Sequence, residues 1–97
     1  EAIYKVANIY FKEQKYAASI RYFHQCMELD PDFAEAYYNL GLLYFSLRYF
    51  EQALECLEGY LELDGDSVWS DQARQLIEDI QGLAAKEANF SLFEDRD

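Results

Sequence analysis

AEAYYNLGLLYFSLRYFEQALECLEGYLELD, residues 34–64, decides the fold, because nearly the same pattern stands 34 residues earlier. Ala2 falls on Ala36, Tyr4 on Tyr38, Ala7 on Gly41, Tyr10 on Tyr44, Phe11 on Phe45 and Tyr16 on Phe50, and Leu29-Asp30 falls on Leu63-Asp64. Unrelated apolar patterns would drift out of phase over such a length, so one structural unit is used twice. A period of roughly 20–50 residues marks a stacked solenoid rather than a globular enzyme. Function is then expected on the surface that the stacked units build.

Tyr37, Leu40, Gly41, Tyr44, Ala53 and Leu57 follow the spacing W-x2-L-G-x2-Y and then A-x3-F, with Tyr in place of Trp and Leu in place of Phe. The first unit carries the pattern more loosely, as Ile3, Val6, Ala7, Tyr10, Ser19 and Phe23, and closes on Leu29-Asp30-Pro31. On these residues the chain resembles the tetratricopeptide repeat family, over positions 1 to about 65. The pattern has a packing logic. Small residues at Ala7, Gly41, Ser19 and Ala53 let the two helices of a hairpin approach, while Tyr10, Tyr44, Phe23 and Leu57 fill the space beside them. Pro31 stops one helix before the next begins.

Helical periodicity with short breaks predicts helices near 2–14, 17–30, 34–47, 50–63 and 67–86. The expected fold is all-α: an α-solenoid of two tetratricopeptide-type helical hairpins plus a C-terminal capping helix. One module would span 1–86, with repeats at about 1–33 and 34–67 and a closing helix at about 67–86, leaving 87–97 as a C-terminal tail. In the closing helix Trp69, Ala73, Leu76, Ile77, Ile80, Leu83 and Ala84 are expected on the packed face. The tail holds Phe90, Leu92 and Phe93 ahead of a charged end, and is expected to fold back. The first helix has almost no polar stripe, only Lys5, Asn8 and Lys12, which predicts burial on more than one side. That burial implies either a longer parent protein or cover from another subunit.

The 97 residues allow one domain, and 52% hydrophobic residues with one Pro and four Gly fit a compact helical chain rather than a disordered one. No stretch is long and apolar enough for a membrane span, nor does a signal segment open the chain. Membrane insertion is therefore not expected. The net charge of −11 is uneven: residues 1–48 hold 6 acids and 5 bases, residues 49–97 hold 13 and 3. Nucleic acid is a poor partner for such a surface. Cys26 and Cys56 lie among apolar neighbours inside expected helices, which reads as core packing in a reducing, cytoplasmic setting.

Chemistry is sparse. His24 is the single histidine, and Cys26, two residues on, points to a different face, so base and nucleophile cannot meet there. Asp30, Asp32 and Glu35, like Asp64, Asp66 and Asp71, sit at helix ends where acids serve as caps and dipole partners. Asp64-Gly65-Asp66-Ser67 has a superficial likeness to a calcium loop, but its glycine is misplaced and Gln75 stands where the closing Glu is required. No Gly-rich phosphate loop is present. The expectation is a chain that is not an enzyme, with no catalytic residues, no cofactor and no metal.

What the resemblance implies is a concave groove, lined by the first helix of each hairpin, that receives an extended peptide or a helix. Placed on the family pattern, Tyr4, Asn8, Phe11 and Lys12 face the groove from the first repeat, and Tyr38, Asn39, Leu42 and Phe45 from the second. Residues three or four apart share a helix face, so each set is geometrically consistent. Tetratricopeptide proteins that clamp the acidic C-terminus of heat-shock chaperones use lysines and an arginine with two asparagines. Asn8 and Asn39 match those asparagines, whereas Tyr4 stands in place of the first lysine and Trp69 and Ala73 where positive charge is needed. An apolar-anchored ligand is the better fit, as in the chaperone-like tetratricopeptide proteins of bacterial secretion systems. The leading expectation is a scaffold with a protein or peptide partner; the second is self-association, as a homodimer, through the apolar first helix. Glu51, Glu55, Glu58 and Glu62 stack down one face of the fourth helix and read first as a solvated outer surface, second as a docking strip for a basic partner.

Overall fold

The computed structural model describes residues 2–95, with side chains through residue 87. Among these, five helices follow in order: α1 (Ala2–Lys12), α2 (Tyr16–Leu29), α3 (Ala34–Ser46), α4 (Phe50–Leu63) and α5 (Val68–Asp95), with no strand. α1 packs on α2 and α3 on α4 as hairpins, α2 joins the hairpins through α3, α5 lies on α4, and α1 meets α3 along one edge. Paired antiparallel helices stacked side by side are the expected all-α solenoid.

The sequence period is reproduced in the backbone itself. Gln14 and Arg48, 34 positions apart, both take φ of 64°, and each ends its hairpin's first helix. The Lys15 amide donates to the Tyr10 carbonyl at 2.9 Å, and the Tyr49 amide to the Tyr44 carbonyl at 2.9 Å. A left-handed turn without glycine costs roughly 1–2 kcal/mol. The short connection it makes lets the following helix turn straight back onto the first.

The helices touch where the side chains are small. Ala7, Ser19 and Ala53 are fully buried, and Ser19 Oγ donates to the Ala7 carbonyl at 2.8 Å, so its polarity is satisfied inside the interface. Phe23 and Leu57, the two large members of the pattern, are likewise fully buried. Removing such a side chain from water contributes about 1.5–3 kcal/mol.

Two expectations are corrected. α5 does not end near residue 86 but runs on to Asp95, so the expected tail is helical through residues 87–95; after Gly82 no Pro or Gly interrupts it. The side chains of Phe90, Leu92 and Phe93 lie outside the described residues. Trp69 is not on the packed face of α5: it is 59% exposed, and Ser70 takes the buried place beside Ala73 and Ile80. Ser70 Oγ donates to the Ser67 carbonyl at 2.5 Å, so a hydroxyl can occupy a core position that apolarity alone does not mark.

Among the described residues α1 is covered by α2 and, along one edge, by α3, and its remaining face is open. Ile9 is 54% exposed and Val6 36%, while their partners one period later, Leu43 and Leu40, are fully buried against α2.

Candidate functional site

α1 and α3 lie side by side, and the residues between them form a continuous polar and aromatic strip. Asn39 is at its centre. Its Nδ2 donates to the Tyr4 hydroxyl at 2.8 Å and to Asn8 Oδ1 at 2.9 Å, which ties α3 to α1 across the seam. Both amide hydrogens of Asn39 are used in this way, so what the seam offers an incoming chain is Asn39 Oδ1 as acceptor and the Tyr4 O–H and Asn8 Nδ2 as donors.

Two clefts open from Asn39. One, of about 380 Å³, is lined by Tyr4, Ala34, Glu35, Tyr38, Asn39, Leu42, Tyr60, Asp64 and Trp69. The other, of about 550 Å³, is lined by Asn8, Phe11, Lys12, Gln14, Tyr16 and Asn39. Of the eight groove residues expected from sequence, Tyr4, Tyr38, Asn39 and Leu42 line the first and Asn8, Phe11, Lys12 and again Asn39 the second. Phe45 lines neither: at the end of α3 it packs on Phe50 at the start of α4, with ring centres 6.2 Å apart. The equivalent pair, Phe11 and Tyr16, has the same 6.2 Å separation and closes the first hairpin.

Sequence reasoning missed Tyr60, Trp69, Glu35 and Asp64. Tyr60 and Trp69 stand edge-on to Tyr38, at 5.2 Å and 68° and at 6.1 Å and 73°. Tyr38 also donates to Gln72 Oε1 at 3.4 Å, so the ring is held from both α4 and α5. A hydrogen-bonded turn brings Asp64 to the cleft. Tyr60 donates to Asp64 Oδ2 at 2.6 Å and Ser67 Oγ to the same oxygen at 2.8 Å, while Arg74 Nη2 holds the Gly65 carbonyl at 2.7 Å.

These bonds set the charges. The Tyr60 and Ser67 donors hold the Asp64 carboxyl below the usual carboxylate range, while burial, then the bond to Asp64, push the Tyr60 phenol up. A carboxyl depressed on folding adds stability above its unfolded value, and that contribution is lost as pH falls through the folded one. Asp64→Asn should therefore lower the melting temperature at pH 7, and the gap from the parent chain should close below about pH 4. A gap of equal size at both pH values in circular dichroism melts would show that charge is not what the turn holds.

The remaining reactive groups lie apart from the first cleft. Burial, then the Glu55 charge, push the Cys56 thiol up to about 12, leaving it un-ionised at neutral pH. His24 is exposed, with Nε2 3.3 Å from the Tyr44 hydroxyl. Among the described residues no three His, Cys, Asp or Glu side chains converge as metal ligands, and no helix is long and apolar enough to cross a membrane. Glu51, Glu55, Glu58 and Glu62 all lie exposed on α4, as read from their spacing.

Comparison with known proteins agrees with the fold. Residues 7–78 match the model of the tetratricopeptide repeat family. Over 67 residues the chain is 31% identical to a UDP-N-acetylglucosamine–peptide N-acetylglucosaminyltransferase of Giardia intestinalis, a match covering 69% of this chain and 4% of that protein. Among solved structures, the first tetratricopeptide repeat domain of Spaghetti, bound to the HSP90 peptide SRMEEVD, has a TM-score of 0.76 at 24% identity, covering 86% of this chain and 64% of that one. A tetratricopeptide repeat domain protein of Salinibacter ruber has a TM-score of 0.75 at 24% identity over 82% of this chain and 84% of that one.

Proposed function

The chain belongs to the tetratricopeptide repeat family, and from that premise we propose that it is a protein-interaction module that captures an extended peptide along the α1–α3 seam. The observation that carries this reading is the seam itself. Tyr4, Asn8 and Asn39 form one hydrogen-bonded row, with donors and an acceptor still to offer, and clefts at both ends take side chains. The backbone of a peptide needs donors and acceptors in alternation, and the flanking rings supply apolar anchors. Ordering a short peptide costs about 1–2 kcal/mol per residue, so affinity near micromolar is expected.

The Spaghetti domain, similar in fold, holds a peptide with two glutamates and a terminal aspartate. The same ligand does not suit the first cleft, because that cleft already presents Glu35 and Asp64 and, among the described residues, has no Lys, Arg or His in its lining. The role is binding rather than catalysis, and the small share of the glycosyltransferase that matches this chain carries no activity over to it.

A second reading is favoured by the open side of α1. Val6 and Ile9 stand exposed where Leu40 and Leu43 are fully covered, so a second copy docking on α1 would make a homodimer. The two readings separate by mutation. Under peptide capture, Tyr38→Ala weakens binding about tenfold or more with the mass unchanged, whereas Val6→Lys with Ile9→Lys leaves binding intact. Under self-association, the lysine pair halves the mass measured by light scattering, and Tyr38→Ala does nothing to it.

A further inference from the structure

The first cleft has a chemistry the rest of the groove lacks. Its walls are the rings of Tyr4, Tyr38, Tyr60 and Trp69, its rim carries the carboxylates of Glu35 and Asp64, and among the described residues no cation lines it. Tyr60 and Trp69 meet Tyr38 nearly at right angles, so ring faces and edges alternate around the space instead of closing into a stack. Trp69 is 59% exposed, although an indole on α5 had the neighbouring α4 to pack against. Glu35 has no hydrogen-bond or ion-pair partner among the described residues. Asp64 is held in place by Tyr60 and Ser67 rather than by a counter-ion.

We propose that this cleft receives one cationic side chain, arginine or lysine, of the bound peptide, so that the chain selects basic rather than acidic or purely apolar segments. The proposal rests on the groove reading above and names the ligand class for it. Aromatic faces attract a guanidinium or ammonium through their quadrupole and cover its apolar stem, while the two carboxylates supply the opposite charge. An apolar side chain would cover the same rings but would take water from Glu35 and Asp64 and return nothing. An acidic side chain would meet two like charges. A metal ion would find only two of the carboxylates it requires. The charge of −11 on the whole chain attracts a basic segment from a distance and repels an acidic one.

The test is a phage library of random decapeptides panned on the 97-residue chain, with Tyr38→Ala as counter-selection, followed by fluorescence anisotropy on the synthetic winners. The expected result is enrichment of Arg or Lys at one position, with affinity falling tenfold or more when that residue is replaced by methionine and binding lost when it is replaced by glutamate. Glu35→Gln should shrink the preference for the basic residue over methionine by about fivefold and leave the melting temperature unchanged. Trp69→Leu should do the same on its own, which keeps the test independent of Asp64 and its structural bonds. Winners that require Tyr38 but bind equally with methionine or glutamate would overturn the cationic specificity and leave the groove reading standing. Winners indifferent to Tyr38→Ala, or no enrichment, would overturn the groove reading and this inference with it.

Discussion

Phe23→Ala should lower the unfolding free energy by about 3–5 kcal/mol, a large part of the total for a chain of this size. Phe23 is fully buried in the cluster that joins both hairpins, together with Ala7, Cys26, Ala36, Leu40, Leu43 and Cys56. Nothing nearby can move in to fill the space, because its neighbours are fixed on four different helices. The loss corresponds to a fall of more than about 10 °C in the melting temperature. The effect also reaches the groove. The Tyr4 ring stands edge-on to Phe23 at 6.2 Å and to Phe33 at 4.9 Å, so removing Phe23 takes away one of the two surfaces that hold it. Peptide affinity should therefore fall as well, measured below the lowered melting point. Phe23→Leu, which conserves most of the volume, should cost about 1 kcal/mol and spare binding. Urea unfolding reads the first effect and anisotropy the second; a change under about 1 kcal/mol for the alanine variant would show that Phe23 does not hold the hairpins together.

The same residue shows what the sequence made legible. Phe23 and Leu57 were readable as core because they recur at one period beside small partners, and steric complementarity depends on size and spacing, both visible in a string of letters. The hairpin turns are not legible: the periodicity carries the first helix through residue 14, whereas Gln14 and Arg48, two dissimilar residues one period apart, both take φ of 64°. The first cleft was legible only on its α1 and α3 sides. Its other side depends on where α5 begins, and that is set by Ser67 and Asp64 bonding to each other and to Tyr60, a contact between groups that the helical period treats as polar surface. A shift of one residue in that start exchanges Trp69 for Ser70 on the packed face. By position Glu35 and Asp64 are helix-end acids, and Asp64 does stabilise the turn before α5. The sequence does not show that both carboxylates also flank one space, because they are brought together by the stacking of separate hairpins.

Gly41→Val should destabilise the chain by about 1–3 kcal/mol even though valine is the better helix former. A Cβ at this position would stand 3.0 Å from both Cγ and Cδ2 of Leu57 and 3.5 Å from Cys56 Cβ. Leu57 is fully buried and cannot retreat, so α3 and α4 must separate. At Gly82, where a Cβ would meet nothing within 4 Å, the same change should gain a few tenths of a kcal/mol through helix propensity alone. The opposite signs isolate packing from propensity. Leu57→Ala by itself should cost about 2–5 kcal/mol, yet combined with Gly41→Val the loss should be smaller than the sum, because the new side chain occupies part of the vacated space; a coupling of about 0.5–3 kcal/mol is expected for residues in contact. Strict additivity in denaturant unfolding would mean the two positions do not touch as described. The separation has a functional consequence too, since Tyr38 is on α3 and Tyr60 on α4, and their 5.2 Å edge-on contact forms one corner of the first cleft. Gly41→Val should thus weaken peptide binding without altering a single lining residue, and the double variant should restore part of it.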